Sequence, residues 1–222
     1  MTINLNNTKL AINGGTPIRT KKWEENFIYG KEEQEAALAS IGNGALSLFE
    51  GSHKPQKPFD FFGGPFVQSL EKEWCNYYGI EYSISVNSAT SGLYAAIGAC
   101  EIGYGDEVIT SPYTMTACAT APLIYGAIPI FADVLLETGS LDPNSIESLI
   151  TERTKAILVV HQFGIPADMD SIMAIAKKYN LKVIEDCAQA HGTKYKGKFV
   201  GTFGDIGVFS LNINKTIQTG EG

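Results

Sequence analysis

The chain has 222 residues, of which 44% are hydrophobic and 18% charged, and its net charge is −7. This composition is typical of a globular protein with an apolar core, and the acidic balance argues against sequence-independent nucleic-acid binding, which needs a basic face. The first residues contain no basic segment followed by an apolar stretch, and no apolar run has the length of a membrane span. We therefore expect a cytoplasmic protein that neither crosses nor binds a membrane.

After an irregular N-terminal arm at residues 1–30, helical and strand-like patterns alternate along the chain. Helices are predicted at residues 31–42, 65–78, 90–99, 114–125 and 168–179, with a short helix that begins near Pro143 after the cap Asp142. Strands are predicted at residues 82–86, 107–110, 128–134, 156–160, 182–186 and 207–209. The Gly-, Pro- and Phe-rich segment at residues 51–66 is predicted to be a loop.

The alternation of strands and helices predicts a three-layer α/β/α domain with a mostly parallel sheet, covering residues 31–222 after the arm. The apolar run at residues 156–160 is typical of a strand buried on both faces. Ligands of such sheets bind at the carboxyl ends of the strands. The candidate site residues are therefore those that follow predicted strands.

Three features lie at or just beyond the ends of predicted strands. The first is the small-residue turn Ser88-Ala89-Thr90-Ser91-Gly92, the second is Asp186, and the third comprises Ser210 and Lys215. The turn can bind phosphate with helix amides and hydroxyls, but it can also be a simple helix cap. Asp186 can pair with a ligand cation or be a structural acid, and Lys215 can be an ordinary surface lysine.

Taken together, an acid at the end of a buried strand and a lysine downstream are the minimal set for holding pyridoxal 5'-phosphate. The lysine forms the Schiff base and the acid pairs with the pyridinium nitrogen. Glu185 is the alternative acid, and residue alternation puts it on the opposite face of the strand from Asp186. Neither the four cysteines nor the three histidines show metal-ligand spacing, so no metal is expected.

Several ordered motifs resemble the DegT/StrS family of fold-type I pyridoxal-phosphate enzymes. The motifs are VIEDCAQAHG at residues 183–192, VGTFGDIGVFS at 200–210, NK at 214–215, TGEG at 219–222, HQFG at 161–164, ADMD at 167–170 and TSPYT at 110–114. The resemblance runs from about residue 10 to residue 222. It implies an aminotransferase that moves an amino group from glutamate or glutamine to a nucleotide-linked keto sugar or a keto cyclitol.

The resemblance also assigns roles to single residues. Lys215 would be the Schiff-base lysine and proton shuttle, Asp186 the partner of the pyridine nitrogen, and Gln189 the partner of the ring hydroxyl. The phosphate would be held by Ser210 and by the turn that contains Ala89, Thr90 and Ser91. Apart from the resemblance, His191 is expected to pack or to hydrogen-bond near Asp186, and His161 to pack, rather than to catalyse.

The chain departs from the family at one position, because Met115 stands where an aromatic residue commonly stacks on the cofactor ring. Methionine can pack on a ring face, and Tyr113 is an alternative for this role. Family members with histidine in place of the lysine are dehydratases, so Lys215 favours transamination over elimination on the same scaffold.

The resemblance further implies a homodimer and a C-terminal small domain beyond Gly222. The large domain is then incomplete at its end, and the 222 residues alone are expected to be inactive, or to form a non-catalytic half protein.

Overall fold

The computed structural model describes residues 9–24, 29–42 and 63–222. The chain divides into two compact units, residues 1–64 and 65–222. Within the first unit, the described residues form helix α1 at Lys31–Gly42, as predicted, and a 3-10 turn at Ala11–Asn13 in the arm that was expected to be irregular. Most of the predicted loop at residues 51–66 lies outside the described residues, and the domain boundary at residue 30 stays a prediction.

The second unit contains a five-stranded sheet in which every neighbouring pair is parallel. Its order is β2-β1-β3-β4-β7, with β1 at Glu107–Thr110, β2 at Ile128–Phe131, β3 at Thr154–Val160, β4 at Lys182–Asp186 and β7 at Ile206–Val208. A two-stranded hairpin consists of β5 at Lys194–Tyr195 and β6 at Lys198–Phe199.

Helices flank this sheet. They are α2 at Pro65–Tyr78, α3 at Ala89–Ala99, α4 at Ala117–Ile124, α5 at Pro143–Ser148 and α6 at Met169–Tyr179, with a 3-10 turn at Gln162–Gly164. Asp142 caps α5 as predicted, because its carboxylate accepts a hydrogen bond of 2.9 Å from the amide of Asn144. Within the described part of the chain, every helix is too short or too polar to cross a membrane.

The sheet separates two apolar cores, as the three-layer prediction requires. Strand β3 contributes Leu158 to the core that contains α3 and α4, and the next residue, Val159, to the core that contains α5 and α6. Both side chains are fully buried. The uninterrupted apolar sequence of β3 is thus explained as predicted, because helices cover both faces of the strand.

The prediction of a strand at residues 82–86 was wrong. The segment alternates polar and apolar residues, but Ile84 remains 84% exposed. It is held instead by Glu71 of α2, whose carboxylate accepts 2.7 Å and 3.0 Å hydrogen bonds from the amide and hydroxyl of Ser85. A cavity of about 560 Å³ is lined by this segment and by β7. Because this cavity separates residues 82–86 from β7, the two do not pair through backbone hydrogen bonds.

Two further elements are shorter than predicted. The helix expected at residues 114–125 is observed at Ala117–Ile124. The strand expected at residues 128–134 ends at Phe131, and Val134 instead forms an isolated antiparallel bridge with Leu141.

Candidate cofactor site

Asp186 ends β4 at the carboxyl edge of the sheet and is 6% exposed. Its Oδ1 accepts a hydrogen bond of 2.9 Å from the amide of Ala188, and its Oδ2 accepts one of 3.0 Å from the thiol of Cys118 on α4. Burial raises the pKa of the Cys118 thiol far above its ordinary value, and the charge of Asp186 acts in the same direction. The thiol therefore stays protonated and donates to the carboxylate.

Glu185 points to the opposite face of β4, as residue alternation predicted. Its carboxylate accepts a hydrogen bond of 3.0 Å from Nε2 of His161 and bonds of 2.7–2.8 Å from the amides of Gly201, Phe203 and Gly204. Burial raises the pKa of Glu185, but the hydrogen bonds outweigh it, so the pKa lies below the ordinary value. Glu185 therefore fixes the chain that leads into β7.

The ring of His161 joins this network through both nitrogens. Its Nδ1 accepts a hydrogen bond of 3.1 Å from the amide of Ala167, so Nε2 is the nitrogen that carries the proton. His161, Glu185 and Cys187 bring ligand-capable atoms within 4.8 Å of one another. Because the atoms of His161 and Glu185 are already engaged in hydrogen bonds, the cluster is a structural network.

The parallel pairing of β4 with β7 joins Asp186 to the segment that holds Ser210 and Lys215. Asp186 lies opposite Val208, and the amide of Cys187 donates a hydrogen bond of 2.8 Å to the carbonyl of Val208. Ser210, two residues beyond, is 4% exposed. Lys215 lies in the following turn, where its amide bonds to the carbonyl of Asn212. Among the described residues its Nζ has no hydrogen-bond or salt-bridge partner.

The turn at residues 88–92 begins α3, and its N-terminus packs against β7. Ser88 is the cap, because its hydroxyl accepts a hydrogen bond of 3.1 Å from the amide of Ser91. The amides of Ala89 and Thr90 have no acceptor in the described part of the chain, as expected for the first turn of a helix. A Cβ on Gly92 would lie 2.8 Å from Cγ1 of Val208, so only glycine allows this approach.

Gln189 and Met115 differ in how firmly the structure holds them. The Oε1 of Gln189 accepts a hydrogen bond of 2.7 Å from the amide of Phe163. Met115 precedes α4 and is 66% exposed. The ring of Tyr113 lies edge-on to that of Phe163, with centroids 6.2 Å apart, and its carbonyl accepts a short hydrogen bond from Gln162. Tyr113 is thus anchored, whereas Met115 is open to solvent.

His191 lies five residues beyond Asp186, between the rings of Trp74 and Phe209 at centroid distances of 6.5 Å and 5.9 Å. Its two ring nitrogens are buried and lack hydrogen-bond partners among the described residues. Burial lowers the pKa of His191, the nearby backbone of Ser210 opposes this shift, and the charge of Lys215 adds to it.

Sequence reasoning missed two parts of this arrangement. Cys118 lies 68 residues before Asp186, and no periodic signal links a residue of α4 to the end of β4. The pairing of His161 with Glu185 was also not predicted. His161 directly follows β3, and Glu185 lies one residue before the end of the adjacent parallel strand β4. Proximity of strand ends was the signal that could have found the second contact.

The chain thus has the architecture of an α/β protein with a parallel sheet, a class in which ligands commonly bind at the carboxyl ends of the strands. Residues 58–222 match the DegT/DnrJ/EryC1/StrS aminotransferase family. The chain belongs to this family.

Curated relatives and a solved structure agree with this assignment. GDP-perosamine synthase of Escherichia coli O157:H7 is 47% identical over 159 residues, which is 72% of this chain and 44% of that protein. L-glutamine:2-deoxy-scyllo-inosose aminotransferase of Streptomyces fradiae is 34% identical over 216 residues, 96% of this chain and 48% of that protein. The aminotransferase of Psychrobacter cryohalolentis superposes with a TM-score of 0.79 at 36% identity, covering 90% of this chain and 47% of the other.

The chain therefore spans about half the length of the curated relatives it matches.

Proposed function

We propose that this chain forms the cofactor-binding part of a pyridoxal-phosphate-dependent aminotransferase that uses glutamate or glutamine to aminate a keto sugar or keto cyclitol. The observation that carries the proposal is the parallel pairing of β4 with β7. This pairing sets Asp186 beside the strand that continues into Ser210 and Lys215. Membership of the aminotransferase family gives independent support.

The donor set around Asp186 fits the cofactor. When bound, pyridoxal phosphate supplies an electron sink that acidifies the carbon attached to the amino nitrogen. A buried carboxylate is stabilised by a cation, and a protonated pyridine nitrogen provides one. Each oxygen of Asp186 accepts only one hydrogen bond from the described residues, which leaves acceptor capacity for a ligand N–H.

The first turn of α3 fits a phosphate. The amides of Ala89 and Thr90 have no acceptor among the described residues, and the positive end of the helix dipole favours an anion there. The hydroxyls of Thr90 and Ser91 can add donors, and Ser210 lies just beyond β7, against which α3 packs. We assign Ala89, Thr90, Ser91 and Ser210 to the phosphate.

Lys215 is assigned to the reacting carbons. An Nζ without a hydrogen-bond or salt-bridge partner among the described residues can form a covalent link to an aldehyde and, once displaced, can take and return a proton as a general base and acid. The anchored amide of Gln189 is assigned to the ring hydroxyl, and the ring face is left to Met115 or Tyr113. No second candidate function is favoured by a specific contact.

The amino-group acceptor is proposed at the level of the compound class. One relative is named for a GDP-linked sugar and another for a deoxy-inosose, a cyclitol ketone. A panel of nucleotide-linked keto sugars and cyclitol ketones, assayed with amide- and amine-labelled glutamine and with labelled glutamate, separates these classes. A homodimer stays part of the proposal, and light scattering of the full-length protein tests it.

The experiment that tests the central assignment is reduction of the full-length, cofactor-loaded protein with borohydride, followed by peptide mass spectrometry. We expect the mass of the reduced cofactor on the peptide that contains Lys215. Lys215→Ala should lose this label and turnover while still binding the cofactor non-covalently. Lys177→Ala, an exposed lysine of α6, is the matched control and should keep both. Normal turnover in Lys215→Ala would overturn the proposal.

A further inference from the structure

The geometry points to a further positioning residue, Cys118, whose thiol hydrogen bond to Asp186 sets how strongly this carboxylate holds the pyridine nitrogen of the cofactor. The first part of this inference, the thiol–carboxylate hydrogen bond, concerns this chain alone. The second part, the effect of that bond on the pyridine nitrogen, rests on the proposed function. Cys118 itself is not assigned a contact with the cofactor.

The contact is short and protected from water. The Sγ of Cys118 lies 3.0 Å from Oδ2 of Asp186, and the two side chains are 0% and 6% exposed. The thiol also lies 3.9 Å from the hydroxyl of Thr114, so the carboxylate is the nearer of these two partners. In a site that excludes water, a hydrogen bond of this kind contributes more than it would in solution.

A thiol at this place has a specific consequence. Hydrogen bonds to a carboxylate stabilise its charge and reduce its tendency to hold another proton. A thiol is a weak donor, and a hydroxyl is a stronger one. Cys118 therefore orients Asp186 through a weak hydrogen bond that competes little with a ligand N–H, whereas serine in the same place would be a stronger donor and would compete with the pyridine nitrogen.

The remaining groups around Asp186 do not substitute for this contact. The amide of Ala188 binds the other oxygen, Oδ1, and the amide of His161 binds the backbone carbonyl. Glu185 is turned to the opposite face, where it accepts a hydrogen bond from His161. The Cys187 thiol lies close enough for the charges of Glu185 and Asp186 to raise its pKa, after burial as the larger cause. Among the described residues, Cys118 is the side chain that donates to Asp186.

The first test uses the infrared S–H stretching band of the cofactor-free full-length protein. We expect the band that Cys118→Ala removes to lie below the frequency of a free thiol, and Asp186→Asn to move it upwards. A band at the free-thiol frequency that does not shift in Asp186→Asn would overturn the inferred thiol–carboxylate hydrogen bond. Cys100→Ala is the matched control, because Cys100 has no bond to Asp186 and should leave this band in place.

The second test uses the cofactor labelled with 15N at the ring nitrogen. Cys118→Ser should move its resonance toward the neutral pyridine and weaken cofactor binding about threefold, whereas Cys118→Ala should move the resonance in the other direction or leave it fully protonated. A purely structural role would move both variants in the same direction and would overturn the inference. If the infrared result holds but no cofactor binds, the proposed function fails while the thiol–carboxylate bond stands.

Discussion

His161 and Glu185 form a fully buried pair, with Nε2 of the histidine 3.0 Å from Oε2 of the glutamate. The pair connects the end of β3 to β4, and the same carboxylate binds the backbone just before β7. Asp186, the next residue, ends β4 with its side chain on the opposite face. The position of the acidic group in the candidate site therefore depends on a neighbour that does not face the site.

We predict that Glu185→Gln lowers the free energy of unfolding by about 3 kcal/mol near neutral pH, because it leaves buried donors without a charged acceptor. Urea denaturation of the full-length protein measures this. Glu147→Gln is the control, since Glu147 pairs with Lys178 at the surface and its loss should change little. Equal effects of the two substitutions would contradict the buried network.

The same carboxylate gives a predicted pH dependence. The pKa of Glu185 in the folded chain lies below its ordinary value, so its stabilising contribution is complete above the pKa of the unfolded chain. It is lost as the pH falls through the lower, folded pKa. Stability of the wild type should therefore decline more steeply in acid than that of Glu185→Gln. Parallel curves for the two proteins would show that this group does not titrate as inferred.

Ser88→Ala should act on stability and on cofactor binding together. Loss of the cap should cost about 1 kcal/mol, and the loosened first turn of α3 should weaken phosphate binding. Asp142→Ala removes the cap of α5 and serves as the control, since it should cost similar stability without changing the affinity for pyridoxal phosphate. Fluorescence titration with the cofactor compares the two. Unchanged affinity in Ser88→Ala would remove this turn from the site.

The layered fold was predictable because periodicity alone encodes it. The continuous apolar sequence of β3 and the adjacent acids Glu185 and Asp186 have the spacing that a doubly covered parallel sheet requires. The candidate residues follow from the same logic, since strand ends meet at one edge of the sheet.

Other features depend on contacts that a linear pattern does not encode. The segment at residues 82–86 has strand-like alternation, yet a strand also needs a neighbour with which to pair, and a cavity lies between this segment and β7. The contact of Cys118 with Asp186 joins residues brought together by helix packing. At residues 82–86, tertiary context outweighed the local strand propensity. For the Cys118–Asp186 contact, local propensity carried no information.

Gly207→Ala should destabilise the fold by about 1–3 kcal/mol through overpacking. A Cβ at this position of β7 would lie 2.7 Å from the Cα of Gly201, and backbone cannot move aside as a flexible side chain can. Gly103→Ala is the control, because a Cβ there meets nothing within 4 Å, and it should stay within about 0.5 kcal/mol of the wild type. Thermal unfolding distinguishes them. A neutral Gly207→Ala would contradict the close approach of these two segments.

Met115→Phe should strengthen cofactor binding, because a planar ring can stack where the thioether can only pack. Aromatic pairing contributes about 0.5–1.5 kcal/mol, which corresponds to a roughly two- to tenfold lower dissociation constant. The position tolerates the larger side chain, since Met115 is 66% exposed. Fluorescence titration of the full-length protein measures the change. The contrasting variant is Tyr113→Ala: if Tyr113 rather than residue 115 covers the ring, Tyr113→Ala should weaken binding and Met115→Phe should leave it unchanged.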